Sequence, residues 1–287
     1  MSAIYKREFR SYFTNMTGFI FLAVLFLFSG IFTTAINLIG GSALYEYTLN
    51  NMSFVLMIII PVLAMRSVAE DKRQKTDQLL YSLPVKSSGV VIGKYLALVS
   101  VFGIAVLCMA FVPVILMLFG NVPFASTYSA LLGFFLLGCA LLSVCMFLSS
   151  LTESQVIAAV LGIGAMLAFY LMSGLASLYP EGKGWSLAGF LVLAALLGLI
   201  FWILTKNPIL GVSLFGVCAI PLLVVYLVKG GLFEAALPKM LGYLAVFDRF
   251  SSFTGGLFDL TAVVYYLSIA VFFVFLTVQT VEKKRWN

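Results

Sequence analysis

The chain has no histidine, and Asp, Glu, Lys and Arg together make up only 10% of its 287 residues. Without histidine it lacks the commonest metal ligand and the commonest proton shuttle. The four cysteines, Cys108, Cys139, Cys145 and Cys218, all lie inside apolar runs with no C-x-x-C spacing. That pattern argues against a disulfide framework or a metal site and for ordinary apolar cysteine. No carboxylate pair or nucleophile–base constellation is visible in the apolar runs. Gly89-Val-Val-Ile-Gly93-Lys94-Tyr95 is one residue short of a phosphate-binding loop, and Tyr95 stands where Ser or Thr would hold magnesium. The chain therefore has no nucleotide site of its own.

What the chain has in abundance is apolar surface. At 63% hydrophobic residues and a mean hydropathy of +1.14, it cannot hide that surface in one soluble core and must use lipid as solvent. The net charge of +6 does not indicate nucleic acid, because the cations are scattered between apolar runs instead of forming a dense face. Lys6, Arg7 and Arg10 precede an apolar stretch, but residues 17–39 exceed the roughly 7–15 residues of a signal-peptide core and lack a small-residue cleavage site. That stretch reads as an uncleaved first span.

Eight apolar stretches have about the 20 residues a bilayer crossing needs: 17–39, 52–68, 95–119, 128–150, 156–178, 186–205, 209–228 and 260–281. Polar turns separate them, holding Glu46, Asn50 and Asn51 after the first and Pro180 and Gly182 after the fifth. Tyr5, Phe9 and Phe13 recur every four residues, with Lys6 and Arg10 on another face, which predicts a short N-terminal helix lying in the headgroup region. Residues 229–259 mix apolar side chains with Glu234, Lys239, Asp248, Arg249 and glycines, too mixed to span. Short amphipathic or re-entrant helices at the outer interface are expected there. The fold class is thus an all-α, polytopic membrane protein forming one transmembrane domain.

With the N-terminus in the cytoplasm, eight crossings put 13 of the 17 Lys and Arg inside and leave Lys183, Lys229, Lys239 and Arg249 outside, while the acidic residues split six to five. The bias lies in the cations, as the positive-inside rule requires. Both termini then face the cytoplasm.

One long charged interruption, residues 66–94, falls on that side. It carries Arg66, Lys72, Arg73, Lys75, Lys86 and Lys94 against Glu70, Asp71 and Asp77. The pattern predicts a short amphipathic helix over 74–81, with Leu79, Leu80 and Leu83 set against the charges, broken at Pro84 before the chain re-enters the membrane. Such a segment can transmit force if its leucines seat in a groove of a soluble partner. The spans themselves show no ionisable group away from their ends, so energy for any transport would come from a partner.

The run Glu70-Asp-Lys-Arg-Gln-Lys-Thr76-Asp-Gln-Leu79-Leu80-Tyr-Ser-Leu-Pro84, followed by Gly93-Lys94-Tyr95, resembles the coupling-helix segment of permeases of the type-two ABC exporter superfamily. Lys75 replaces a frequent glycine of that pattern and Gln78 a usual glutamate. The C-terminal stretch, from Phe247-Asp-Arg-Phe250 through Asp259 to Glu282-Lys-Lys-Arg-Trp286, is similar to the last outer loop and final span of the subgroup found in gliding-motility and nitrous-oxide-reductase maturation systems. Such permeases have six spans, so residues 186–228 read as an inserted helix pair that leaves both ends on the same side.

The resemblance implies a permease subunit in the cytoplasmic membrane, working with cytoplasmic ABC ATPases and with a second permease copy or homologue. ATP and magnesium would sit in the ATPase, with no cofactor in this chain and no enzymatic activity of its own. It implies coupling roles for Glu70, Asp71, Lys72, Arg73, Thr76, Asp77, Leu79, Leu80 and Pro84. Gly162, Gly164 and Gly174, with Tyr170 and Ser173, are candidates for a contact between permeases, since small residues let helices approach closely. Packing within the chain is the competing reading. Two other functions compete: an anchor through which an ATPase pulls on an extracytoplasmic partner, with 229–259 as its handle, and an autonomous secondary transporter or channel.

Overall fold

The computed structural model describes residues 2–75, 87–180, 182–205, 208–228, 230–256 and 258–286. Every regular element among them is helical. In chain order these are α1 (Ser2–Thr14), α2 (Thr17–Phe32) running into a π-helix (Thr33–Ile39), α3 (Tyr45–Ala64), α4 (Arg66–Arg73), α5 (Ser87–Met109), α6 (Val112–Leu116) and α7 (Phe124–Leu151). There follow α8 (Gln155–Leu178), α9 (Lys183–Thr205), α10 (Pro208–Val228), a 3-10 turn (Gly230–Phe233), α11 (Ala236–Leu244), a second 3-10 turn (Asp248–Phe250), α12 (Ser251–Thr254) and α13 (Leu260–Trp286).

Six helical stretches among the described residues are long and apolar enough to cross a bilayer: Thr17–Ile39, Tyr45–Arg73, Ser87–Leu116, Phe124–Leu151, Gln155–Leu178 and Leu260–Lys283. The stretches expected as the sixth and seventh spans are α9 and α10, apolar helices of 23 and 21 residues. The starts of two spans differ most from the sequence reading. The second span begins at Tyr45 instead of 52, because Glu46, Asn50 and Asn51 fold into the helix: Asn51 donates to the Tyr47 carbonyl at 2.8 Å and Ser53 to that of Asn50 at 2.6 Å. The third begins at Ser87 instead of 95, which carries Lys94 into the helix.

The chain divides into two compact units, Met1–Ala168 with Arg249–Asn287, and Phe169–Asp248. In the first, α3 and α7 are the most enclosed helices. Small residues on α7 make this possible. Phe102 of α5 occupies the space beside Gly138, where a Cβ would come within 2.1 Å of its ring, and Phe253 of α12 does the same at Gly133, at 2.6 Å. Phe102 also lies parallel to Phe135, with centroids 6.0 Å apart. The buried side of α7 is thus shaped by two absent side chains and filled by phenylalanines from other helices.

The N-terminal helix forms as expected. Tyr5, Phe9 and Phe13 make a ladder with centroids 5.9 and 5.1 Å apart, and α1 meets the start of α2 where Gly18 lies against the Tyr12 carbonyl. Residues 248–254 form short helices whose Phe250 and Phe253 are fully buried. Arg249 stacks over the Tyr265 ring, 5.5 Å from its centroid. In the second unit, Phe233 meets Phe190 and Tyr226 edge-on at 6.0 and 5.5 Å. Tyr179 donates to the Trp185 carbonyl at 2.7 Å, and an exposed Lys183–Glu234 pair closes at 2.9 Å.

Candidate functional site: the root of the charged segment

Pro61 inside α3 removes one backbone donor from the ladder, and the span continues through Met65 into α4. Glu70, Asp71, Lys72 and Arg73, expected as coupling residues, lie on α4. The helix ends at Arg73, and Gln74 and Lys75 form a turn in which Lys75 has φ 56°. The amphipathic helix expected to start at Gln74 therefore does not begin there. Thr76, Asp77, Leu79, Leu80 and Pro84 lie outside the described residues.

Four elements converge on α4. From α7, Ser149 Oγ accepts from the Ala69 amide at 3.1 Å and donates to the Met65 carbonyl at 2.9 Å. It thereby bridges the last turn of α3 and the first of α4. The Lys72 ammonium, 6% exposed, donates to the Ser150 carbonyl at the end of α7. From α5, the Lys94 ammonium, 4% exposed, donates to the Ser67 carbonyl at 2.7 Å and pairs with Asp71 at 2.7 Å and with Glu8 of α1 at 3.1 Å. Arg66 holds Glu70 through two parallel contacts of 2.7 and 3.0 Å and reaches Thr17 at the start of α2.

The N-terminal helix is joined to this core through more than Glu8. Tyr5 and Ser100 hydroxyls are 3.0 Å apart, and Arg7 closes on Glu8 at 2.7 Å. The hydrogen bond to Glu8 raises the Arg7 pKa. Tyr12 is buried beneath the cluster, and burial pushes its phenol far above its ordinary value. Buried ion pairs add little net stability, because desolvation offsets their attraction, yet removing one partner is strongly destabilising. Their consequence here is positional: the buried Lys94 ammonium of α5 ties Asp71 on α4 to Glu8 on α1.

The sequence reading places no ionisable group in the spans away from their ends. Lys94 is a correction to it, since the helix starts eight residues earlier than expected, at Ser87. Glu46, in contrast, stands at a span end, as that reading allows. At the start of α3 it is 2% exposed, with one carboxylate oxygen accepting from Thr127 at 3.2 Å and the other without a protein partner. Lys94, Glu8, Ser149 and Ser150 were not among the expected site residues. The available signals were a lysine one-third of the way into an apolar helix and a serine pair at the end of another.

Of the candidate contact residues on α8, Gly162 packs inside the chain: a Cβ there would lie 2.9 Å from Pro61 Cβ and 3.5 Å from Cys145 Sγ. Gly164 and Gly174 are exposed and face open space, and Ser173 is half-buried. Tyr170 meets Phe247 edge-on at 5.6 Å. The glycines thus belong to two different environments.

The helical architecture of the described residues, with six stretches long and apolar enough to cross a bilayer, is that of a multi-pass membrane protein. Residues 31–207, more than half of the chain, match the model of a family described as ABC-2 family transporter protein, and the chain belongs to that family. It is accordingly an ABC permease subunit. No curated protein is significantly similar to the chain.

Proposed function

We propose that this permease subunit couples ATP binding and hydrolysis by a cytoplasmic ABC ATPase to transport across the cytoplasmic membrane, with residues 70–84 seated on the ATPase. Two ATPases and a second permease, a copy or a homologue, complete the assembly. Closure of the ATPases moves the 70–84 segment. Lys94, bonded at once to Asp71, Glu8 and the Ser67 carbonyl, passes that motion to α5 and α1. Ser149 and Lys72 pass it to α7. This three-way linkage of Lys94 is the observation that carries the reading, because a solvated loop that only orients the spans has no need of a buried ionic joint at its root. The C-terminal resemblance favours the subgroup found in gliding-motility and nitrous-oxide-reductase maturation systems.

The test is a gentle pull-down from the native host followed by ATPase assays on the recovered complex. An ABC ATPase in fixed ratio to the permease is expected. Replacing Leu79 and Leu80 with glutamate should abolish its recovery or its stimulation while membrane insertion persists. Full stimulation in the double variant would rule out the coupling role of 70–84.

A further inference from the structure

We propose that a groove between α2 and α3 holds one anionic phospholipid of the cytoplasmic leaflet, with its phosphate at Arg66 and an acyl chain running along the groove toward Val24 and Ile58. The cavity measures about 440 Å³, within the range of small-ligand sites. Phe21 and Leu63 form a buried floor, while Ile20, Val24, Ile58 and Val62 stand as exposed walls. From Thr17 to Val24 on one helix, and from Arg66 back to Ile58 on the other, the groove is roughly 10–12 Å deep at 1.5 Å per residue. It is therefore polar at one end and wholly apolar at the other, as an amphiphile is.

The charge at the polar end selects the occupant. Thr17, Arg66 and Gln155 line that end. Arg66 has five N–H donors, of which two go to Glu70 and one to Thr17, leaving two for a phosphate. On the same side, α1, α4, the turn at Lys75, the early part of α5 and the turn before α8 carry Lys6, Arg7, Arg10, Arg66, Lys72, Arg73, Lys75 and Lys94 against Glu8, Glu70, Asp71 and Glu153, a twofold excess of cations. The same excess places this end in the cytoplasm, where anionic headgroups attract basic residues. A second copy seated in the groove would bring its own excess of cations to the same level of the membrane and be repelled. The inference rests on the membrane-spanning architecture and not on ATPase docking, so either can fail alone.

The experiment uses the full-length chain, purified in mild detergent, equilibrated with equal amounts of palmitoyl-oleoyl phosphatidylglycerol and phosphatidylcholine, and weighed by native mass spectrometry. One phosphatidylglycerol per chain is expected to survive detergent stripping, about tenfold over phosphatidylcholine. Val62→Phe and Ile20→Phe should each lower its retention about tenfold, while Val271→Phe, on an exposed face of α13, should not. Arg66→Gln should erase the preference for phosphatidylglycerol. Two independent groove-filling variants guard against one that misfolds. Equal retention of both lipids, retention indifferent to groove filling, or a dimer of chains abolished by Val62→Phe would each overturn the proposal.

Discussion

The Lys94 ammonium of α5 lies 2.7 Å from the Asp71 carboxylate of α4, with 95% of the lysine side chain shielded from solvent. The two residues are separated by the chain's longest charged segment, so the pair staples together the two ends of that segment.

Lys94→Met should therefore do more than weaken one contact. It takes the buried cation away from two half-buried carboxylates, of which Glu8 keeps Arg7, and should cost roughly 1–3 kcal/mol, the range for lost hydrogen bonds to charged groups. The thermal unfolding midpoint in detergent should fall, and adding Asp71→Asn should restore part of it. A midpoint unchanged by Lys94→Met would show that the cluster bears no load.

Ser149→Ala removes a hydroxyl that bridges the Ala69 amide and the Met65 carbonyl. The expected loss is about 1–3 kcal/mol, the cost of leaving buried polar groups unsatisfied. Because the bridge ties α4 to α7, ATPase stimulation should fall more steeply than expression or insertion. Parallel assays of the two quantities on matched amounts of protein would decide it.

Gly138→Ala places a methyl group within 2.1 Å of the Phe102 ring. Overpacking of this kind costs about 1–3 kcal/mol, and Phe102→Leu in the same chain should recover much of it by vacating the ring edge. Gly164→Ala, where nothing lies within 4 Å, should be silent in the isolated chain. A stability screen of the three variants checks both statements.

Asp259 caps α13: its Oδ1 accepts from the Thr261 amide at 2.8 Å, and hydrogen bonds from Thr261 hold its carboxyl below the ordinary carboxylate range. A depressed folded-state pKa means that the contribution is present above the unfolded-state pKa and lost as pH falls through the folded one. Asp259→Ala, which removes the accepting oxygen, should speed amide exchange over residues 260–264 at neutral pH, and the difference from the parent chain should shrink in strong acid. Equal exchange at neutral pH would remove the cap from the account.

Much of the fold was legible without coordinates, because a bilayer imposes its length on any apolar helix that crosses it and the cation bias orients the result. Residues 17–39 and the aromatic ladder of Tyr5, Phe9 and Phe13 needed only local periodicity. The site was legible only as a stretch of charges. Arg66, Glu70 and the residues after them announced a cytoplasmic segment, but nothing local said that Asp71 faces Lys94, since those positions meet through the packing of α4 against α5. Nor could the sequence separate Gly162, against Pro61, from Gly164, in open space, because both are glycines in one apolar run. Composition and spacing by themselves determined the solvent and the helical class. Tertiary structure alone decided that Glu8, Asp71 and Lys94 form one joint, because a buried charge is tolerated only where separate helices bring its partners within hydrogen-bonding reach.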